Sequence, residues 1–228
     1  MSRRTYNQYC ATARALDVVG ERWTLLLVRE LLTGPKRFGD LLAGLQGMGT
    51  GLLAARLKYL QDEGLVRQVT LPPPARTPAY ALTEAGADLG PAVMALARWG
   101  MRWALGKRGD DETFRPGWAV LGMHATFDAE AAGDLRAVYE FRVDDEVFHA
   151  RIDRGTVESV HGPAQRPDVV IETSADVFVE LAAGRLSVTD AVRDGTASVS
   201  GDRQAARKLR SLFRRPRPQD RTGEEAST

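Results

Sequence analysis

The stretch GMGTGLLAARLKYLQDEGLV, residues 47–66, together with the LVRQVTL (65–71), PPPARTP (72–78) and AYALT (79–83) that overlap and follow it, decides how the first half of this chain folds. Leu53, Leu57 and Leu60 fall at i, i+4 and i+7, the spacing of a single stripe on an α-helix, and Gly64 ends it. Turning 100° per residue from Leu53 puts Gly51, Ala55, Lys58 and Asp62 on the opposite side, with Ala54 and Arg56 on the flanks. The two runs after the helix are β-prone. The proline-rich tip between them carries Arg76 and is too stiff for a helix, so the segment reads as a hairpin with an extended loop and irregular inner pairing.

Upstream, ATARALDVVG (11–20) reads as a short amphipathic helix ending at a Gly20 C-cap. WTLLLVRELLTG (23–34) is apolar nearly all round, as a central buried helix is. KRFGDLLAGL (36–45) sets Phe38, Leu41, Leu42 and Leu45 at helical spacing before QGMG breaks it. Helix, glycine turn, helix and a hairpin with a basic tip is the order of a winged helix-turn-helix domain. In that domain the second helix of the pair enters the major groove with its N-terminal residues leading, and the wing touches the neighbouring backbone. Double-stranded DNA is therefore the expected partner.

The candidate contacts follow from side-chain chemistry. Thr50 and Gly51 open the helix, where free N–H groups favour phosphate; the alternative for Thr50 is a plain N-cap. Gly51, Ala54 and Ala55 are small enough for close approach to base edges, and an alanine methyl packs on a thymine methyl. Arg56 suits guanine or phosphate, the alternative being a salt bridge to a neighbouring helix. Lys36, Arg37 and Lys58 are either phosphate contacts or ordinary solvated charge, and Arg76 sits at the wing.

Charge agrees with this placement. The chain of 228 residues is near neutral at +1, yet residues 1–109 carry 15 Lys+Arg against 8 Asp+Glu, and the remainder 16 against 22. The positive field lies in the first half, where a polyanion would meet it. The single cysteine, Cys10, excludes an internal disulfide framework, and His124, His149 and His161 show no metal-ligand spacing, so neither metal nor cofactor is expected. No apolar run is long enough for a membrane helix and the start resembles no signal peptide, which predicts a cytoplasmic protein without a membrane partner.

The expected domains are 8–107, DNA-binding and dimerising; 108–117, a polar linker; 118–213, a second folded piece; and 214–228, a disordered tail. In the second piece the periodicity becomes two: Tyr139, Phe141 and Val143 alternate with Glu140 and Arg142, and Phe148, Ala150 and Ile152 share a face across an Asp-Asp turn. Further strands are expected at RGTVESVHG, PDVVIETS and TASVSGD, with helices at SADVFVELAAG, LSVTDAVRDG and RQAARKLRSLF. The fold class is thus α+β, a winged helix-turn-helix followed by an antiparallel sheet backed by helices. Ser159, His161 and Asp168 make a triad only on paper, and GMGTG lacks the strand and Lys-Ser/Thr of a phosphate loop, so no enzyme is expected.

The run CATARALDVVGERWTLLLVRELLTGPKRFGDLL, then GMGTGLLAARLKYLQDEGLV, then YALTEAGADLGPAVMALARWGMRW, resembles the HxlR-type bacterial winged-helix regulators over residues 9–105. The resemblance implies a homodimer formed through the first and last helices and a pseudo-palindromic operator. A last helix at about 83–105, with Leu89, Val93, Leu96, Trp99 and Trp103, offers either a dimer seam or a dock for the second domain. It also places Cys10 where some members sense oxidants, with Arg14 one turn later as a possible activator of the thiol. PDVVIETSADVFVELAAGRLSVTDAVRDGTASVSGD is similar to the sterol-carrier-protein-type lipid-binding fold over residues 125–213. That similarity implies an apolar tunnel for a small-molecule effector, with Phe141, Phe148, Ile152, Ile171, Phe178, Leu181, Leu186 and Phe213 to line it; the alternative is that they fill a solid core. Two further functions stay open: a lipid carrier dimerised by its N-terminal helices, and a thiol-switch repressor using Cys10.

Overall fold

In a computed structural model, residues 5–106, 108, 109, 112 and 114–214 are described. The expected disordered tail lies outside them apart from Arg214, as do four residues in and beside the expected linker. The chain divides into two compact units, residues 1–93 and 94–228. No helix among the described residues is long and apolar enough to cross a membrane.

The first unit runs α1 (Ala11–Val19), α2 (Thr24–Leu32), α3 (Phe38–Gly44), α4 (Thr50–Asp62), β1 (Val66–Thr70), β2 (Pro78–Leu82), α5 (Glu84–Ala87) and the start of α6 (Gly90–Trp103). Its core joins Leu27 and Leu31 of α2, Leu41 and Leu45 around α3, and Leu53, Leu57 and Leu60 of α4. The leucine spacing therefore clamps one edge of α4 and leaves the other outside. Gly64, at φ +72°, lets the Leu65 N–H turn back to the Leu60 carbonyl and end α4. β1 and β2 pair antiparallel, Val66 opposite Leu82 through Thr70 opposite Pro78. Lys36 adds a bridge to β2, its N–H donating to the Tyr80 carbonyl at 3.0 Å and its carbonyl accepting from Tyr80 N–H at 2.8 Å.

The single helix expected at 83–105 is two. Thr83 caps α5 by accepting from Gly86 N–H at 3.1 Å, and α6 begins afresh at Gly90 because Pro91 has no N–H to extend a preceding ladder. Gly20 does follow α1, but in a right-handed conformation rather than the left-handed one of a glycine cap. Thr50 is inside α4; the N-cap position belongs to Gly49.

After the rest of α6, the second unit has two helices that the sequence reading lacks, α7 (Ala119–Thr126) and α8 (Ala129–Ala132). AVLGMHAT is apolar all round, so no periodicity marks it. Then come β3 (Arg136–Val143), β4 (Glu146–Asp153), β5 (Thr156–His161), β6 (Val169–Thr173), α9 (Ala175–Ala182), α10 (Val188–Arg193), β7 (Ala197–Gly201) and α11 (Arg203–Leu212). The strand order is β5-β4-β3-β6-β7, antiparallel except for the parallel pair β3–β6. That exception follows from the connection after β5. It crosses the sheet's outer face, where Gly162 carbonyl meets His149 Nδ1 at 2.8 Å and Ala164 N–H donates to buried Glu140 at 2.8 Å, before Asp168 enters beside Val138. The inner face, with Tyr139, Phe141, Phe148, Ile152, Val169 and Ile171, packs with Phe178 of α9 and Ala205 and Leu212 of α11.

Ser159, His161 and Asp168 go to three places. Ser159 Oγ faces the Met123 sulfur at 4.0 Å, His161 pairs with Glu146 at 3.4 Å, and Asp168 accepts from Val138 N–H at 2.7 Å.

Candidate nucleic-acid interface

With its leucine edge buried, α4 turns Thr50, Gly51, Ala54, Ala55 and Lys58 to solvent. This is a narrow, nearly bare backbone surface, and Gly49 and Gly51 have open space around them. Lys58 makes an exposed i, i+4 pair with Asp62 at 3.2 Å, which is worth about a few tenths of a kcal/mol and is easily exchanged.

Arg56 is different. Its guanidinium lies 3.4 Å from Glu21 and over the Tyr59 ring at 5.7 Å, and its side chain is only 14% exposed. The ion-pair alternative is thus realised, although Glu21 sits in the turn before α2 rather than on a helix. Lys36 is also engaged. Its ammonium is 2.8 Å from Glu30, a carboxylate that is 2% exposed and also held by Arg29 at 2.7 Å. Burial pushes the Glu30 carboxyl up, but the hydrogen bonds and charges of Lys36 and Arg29 outweigh it and hold it below the ordinary range. Lys36 therefore organises the junction of α2, α3 and β2, while Arg37 beside it stays exposed, its backbone N–H donating to Asp40 at 3.2 Å.

At the wing tip Arg76 is exposed at φ +41°. Arg67 on β1 is exposed as well, a residue the sequence reading passed over because VRQVT has no clean alternation to mark its outward face. Leu52, 44% exposed on α4 beside Gly51, was likewise missed, because leucine at that spacing looks like core.

Of the residues expected to line a tunnel, Phe141, Phe148, Ile152 and Ile171 are buried in the core of the second unit, with Phe178 and Phe213 packed against it. Phe141 stacks on Phe148 at 5.2 Å, and Phe178 meets both rings edge-on at 6.2 and 5.8 Å. Leu181 and Leu186 are half-buried and stand outside that cluster.

Cys10 is exposed and precedes α1. The backbone N–H groups of Ala13, then Thr12, hold its thiol below the ordinary range. Arg14 plays no part in this; it turns to Asp17 at 3.8 Å.

The first unit, with a bare-faced helix beside a basic hairpin, has the build of a winged helix-turn-helix DNA-binding protein. The HxlR-like helix-turn-helix model matches residues 18–107, and the SCP-2 sterol transfer family model residues 124–214. An HTH-type transcriptional regulator of Mycobacterium tuberculosis is 43% identical over 90 residues, covering 40% of this chain and 56% of that protein, so the chain spans just over half its length. The HTH-type transcriptional regulator YvaP of Bacillus subtilis is 33% identical over 40% of this chain and 83% of its own. The solved reduced form of the regulator YodB from B. subtilis is 29% identical over 45% of this chain and 100% of that one, with a TM-score of 0.37. The chain belongs to the HxlR-like helix-turn-helix family and carries a second domain that the SCP-2 sterol transfer family model matches.

Proposed function

We propose that the protein is a homodimeric regulator that lays α4 into the major groove of a pseudo-palindromic operator, sets Arg76 and Arg67 on the flanking backbone, and answers to an apolar small molecule held by the C-terminal domain. The observation that carries this reading is the solvent-facing row Thr50, Gly51, Ala54, Ala55 and Lys58 on a helix whose leucines are buried. Arg37 at the start of α3 adds a backbone contact, while Lys36 acts indirectly by seating that helix on Glu30. Dimerisation is supported by the exposed Leu96 and Trp99 of α6, 52% and 59% accessible, and by Leu16 of α1. An effector shifts the dimer only insofar as it binds the two spacings unequally.

Arg56 joins the interface by exchanging Glu21 for a phosphate or guanine. The 3.4 Å pair with a 48% exposed Glu21 is worth at most about 1 kcal/mol, less than a good DNA contact at about 1–3 kcal/mol. Arg56→Ala is expected to weaken operator binding by about 1–3 kcal/mol in fluorescence anisotropy, and Glu21→Gln to strengthen it. Operator affinity untouched by Arg56→Ala would confine Arg56 to holding the turn before α2. Steep weakening of binding with rising salt separates this reading from a lipid carrier dimerised by its N-terminal helices, which has no phosphates to neutralise.

A thiol switch is a second reading, favoured by the exposure of Cys10 and its lowered pKa. Under it, peroxide or quinone releases the wild type from DNA and leaves Cys10→Ser bound; equal release of both excludes it.

A further inference from the structure

The helix α11, RQAARKLRSL, packs Ala205 and Leu212 into the core of the second unit, with Ala206, Leu209 and Phe213 against it. It is pinned there by Tyr139, whose hydroxyl donates to the Ala205 carbonyl at 2.9 Å. The opposite side carries Arg203, Arg207 and Arg210 at i, i+4 and i+7, one row about 10 Å long at 1.5 Å per residue, with Lys208 on its flank. All four are exposed.

Many other arginines of this unit sit on carboxylates: Arg136 on Asp153 at 3.0 Å, Arg142 on Glu172 at 2.7 Å, Arg185 on Glu180 at 2.6 Å, Arg193 on Asp190 at 2.9 Å. Even Arg214, just past α11, lies 3.6 Å from Asp128. Among the described residues no carboxylate pairs with Arg203, Arg207, Lys208 or Arg210. Four cations without a carboxylate partner among the described residues are thus gathered on one helix face, in the half of the chain that has more acids than bases.

We propose that the Arg203–Arg207–Arg210 row, with Lys208, is a second surface by which this protein grips the phosphate backbone of double-stranded DNA. A straight row of fixed cations suits a linear polyanion carrying one charge per about 1.7 Å of axis. A membrane surface fits less well, because a helix lying in a bilayer inserts its apolar side, and here that side is spent on the protein core. The inference rests on the reading that the chain binds DNA through α4 and the wing.

The test measures affinity of the full-length chain for a random-sequence duplex of about 40 base pairs across a salt series, where each lost phosphate contact lowers the log–log slope by about one. R203Q/R207Q/R210Q is expected to reduce the slope by about three and low-salt affinity roughly tenfold or more, while the charge-keeping triple substitution to lysine retains both. An unchanged slope in the glutamine variant overturns the proposal. So does loss of binding to phosphatidylglycerol–phosphatidylcholine vesicles with the DNA slope intact, which would assign the row to an anionic lipid surface. Lys58→Gln with Arg76→Gln serves as the parallel arm: if that pair leaves DNA binding intact, the α4 reading fails, whereas its effect without one at α11 removes only the present inference.

Discussion

Phe148→Ala is expected to lower the stability of the C-terminal unit by about 3–5 kcal/mol, the range for deleting an aromatic ring from a closed core. The side chain is fully buried, lies flat against Phe141 and receives the edge of Phe178. Those neighbours belong to a strand and a helix, β3 and α9, whose backbones are held by a ladder and a cap, so they have little freedom to close the gap. Calorimetry of the full chain gives the answer. A loss under about 1.5 kcal/mol would mean that the ring borders open space rather than filled core. The same variant bears on the effector, because a cavity left by a phenyl group takes up a small apolar probe. An effector site that already existed among these rings would bind such probes in the wild type, whereas a closed core would admit them only after the ring is removed.

Glu30→Gln is expected to cost the N-terminal unit about 3 kcal/mol, because it leaves Arg29 and Lys36 half-buried beside a neutral group. Gly44 packs directly on this carboxylate; a Cβ there would stand 2.9 Å from Glu30 Oε2. The damage therefore reaches the seat of α3 and, through the Lys36–Tyr80 bridge, the wing. The pH dependence has a definite sign. The folded-state pKa of Glu30 is lowered, so its contribution is complete above the ordinary carboxylate pKa and is lost as pH falls through the lowered folded value. Wild type should lose stability over that acidic window, and Glu30→Gln should lose correspondingly less, in chemical denaturation at stepped pH. Parallel pH profiles would show that the triad of Glu30, Arg29 and Lys36 contributes nothing net.

Much of the candidate interface is legible in the sequence because it depends on a period. A helix that buries every third or fourth leucine must present the intervening residues outward, whatever surrounds it, so Gly51, Ala54, Ala55 and Lys58 followed from spacing alone. The strands of the second unit were legible for the same reason, since Tyr139, Phe141 and Val143 alternate with polar neighbours. Segments without a period were not: α7 is apolar on all sides and left no mark, and Pro91 split a helix whose stripe reads as continuous.

The sequence by itself determined the helix–turn–helix–hairpin order, the exposed edge of α4 and the basic first half. Only the tertiary structure decided which charges are free, since a cation's availability depends on a carboxylate remote in sequence. It gave Lys36 to Glu30 and Arg56 to Glu21, left the cations of α11 without an acidic partner among the described residues, and laid β6 parallel to β3. Local sequence encodes which way a side chain points; what it meets there is a property of the folded chain.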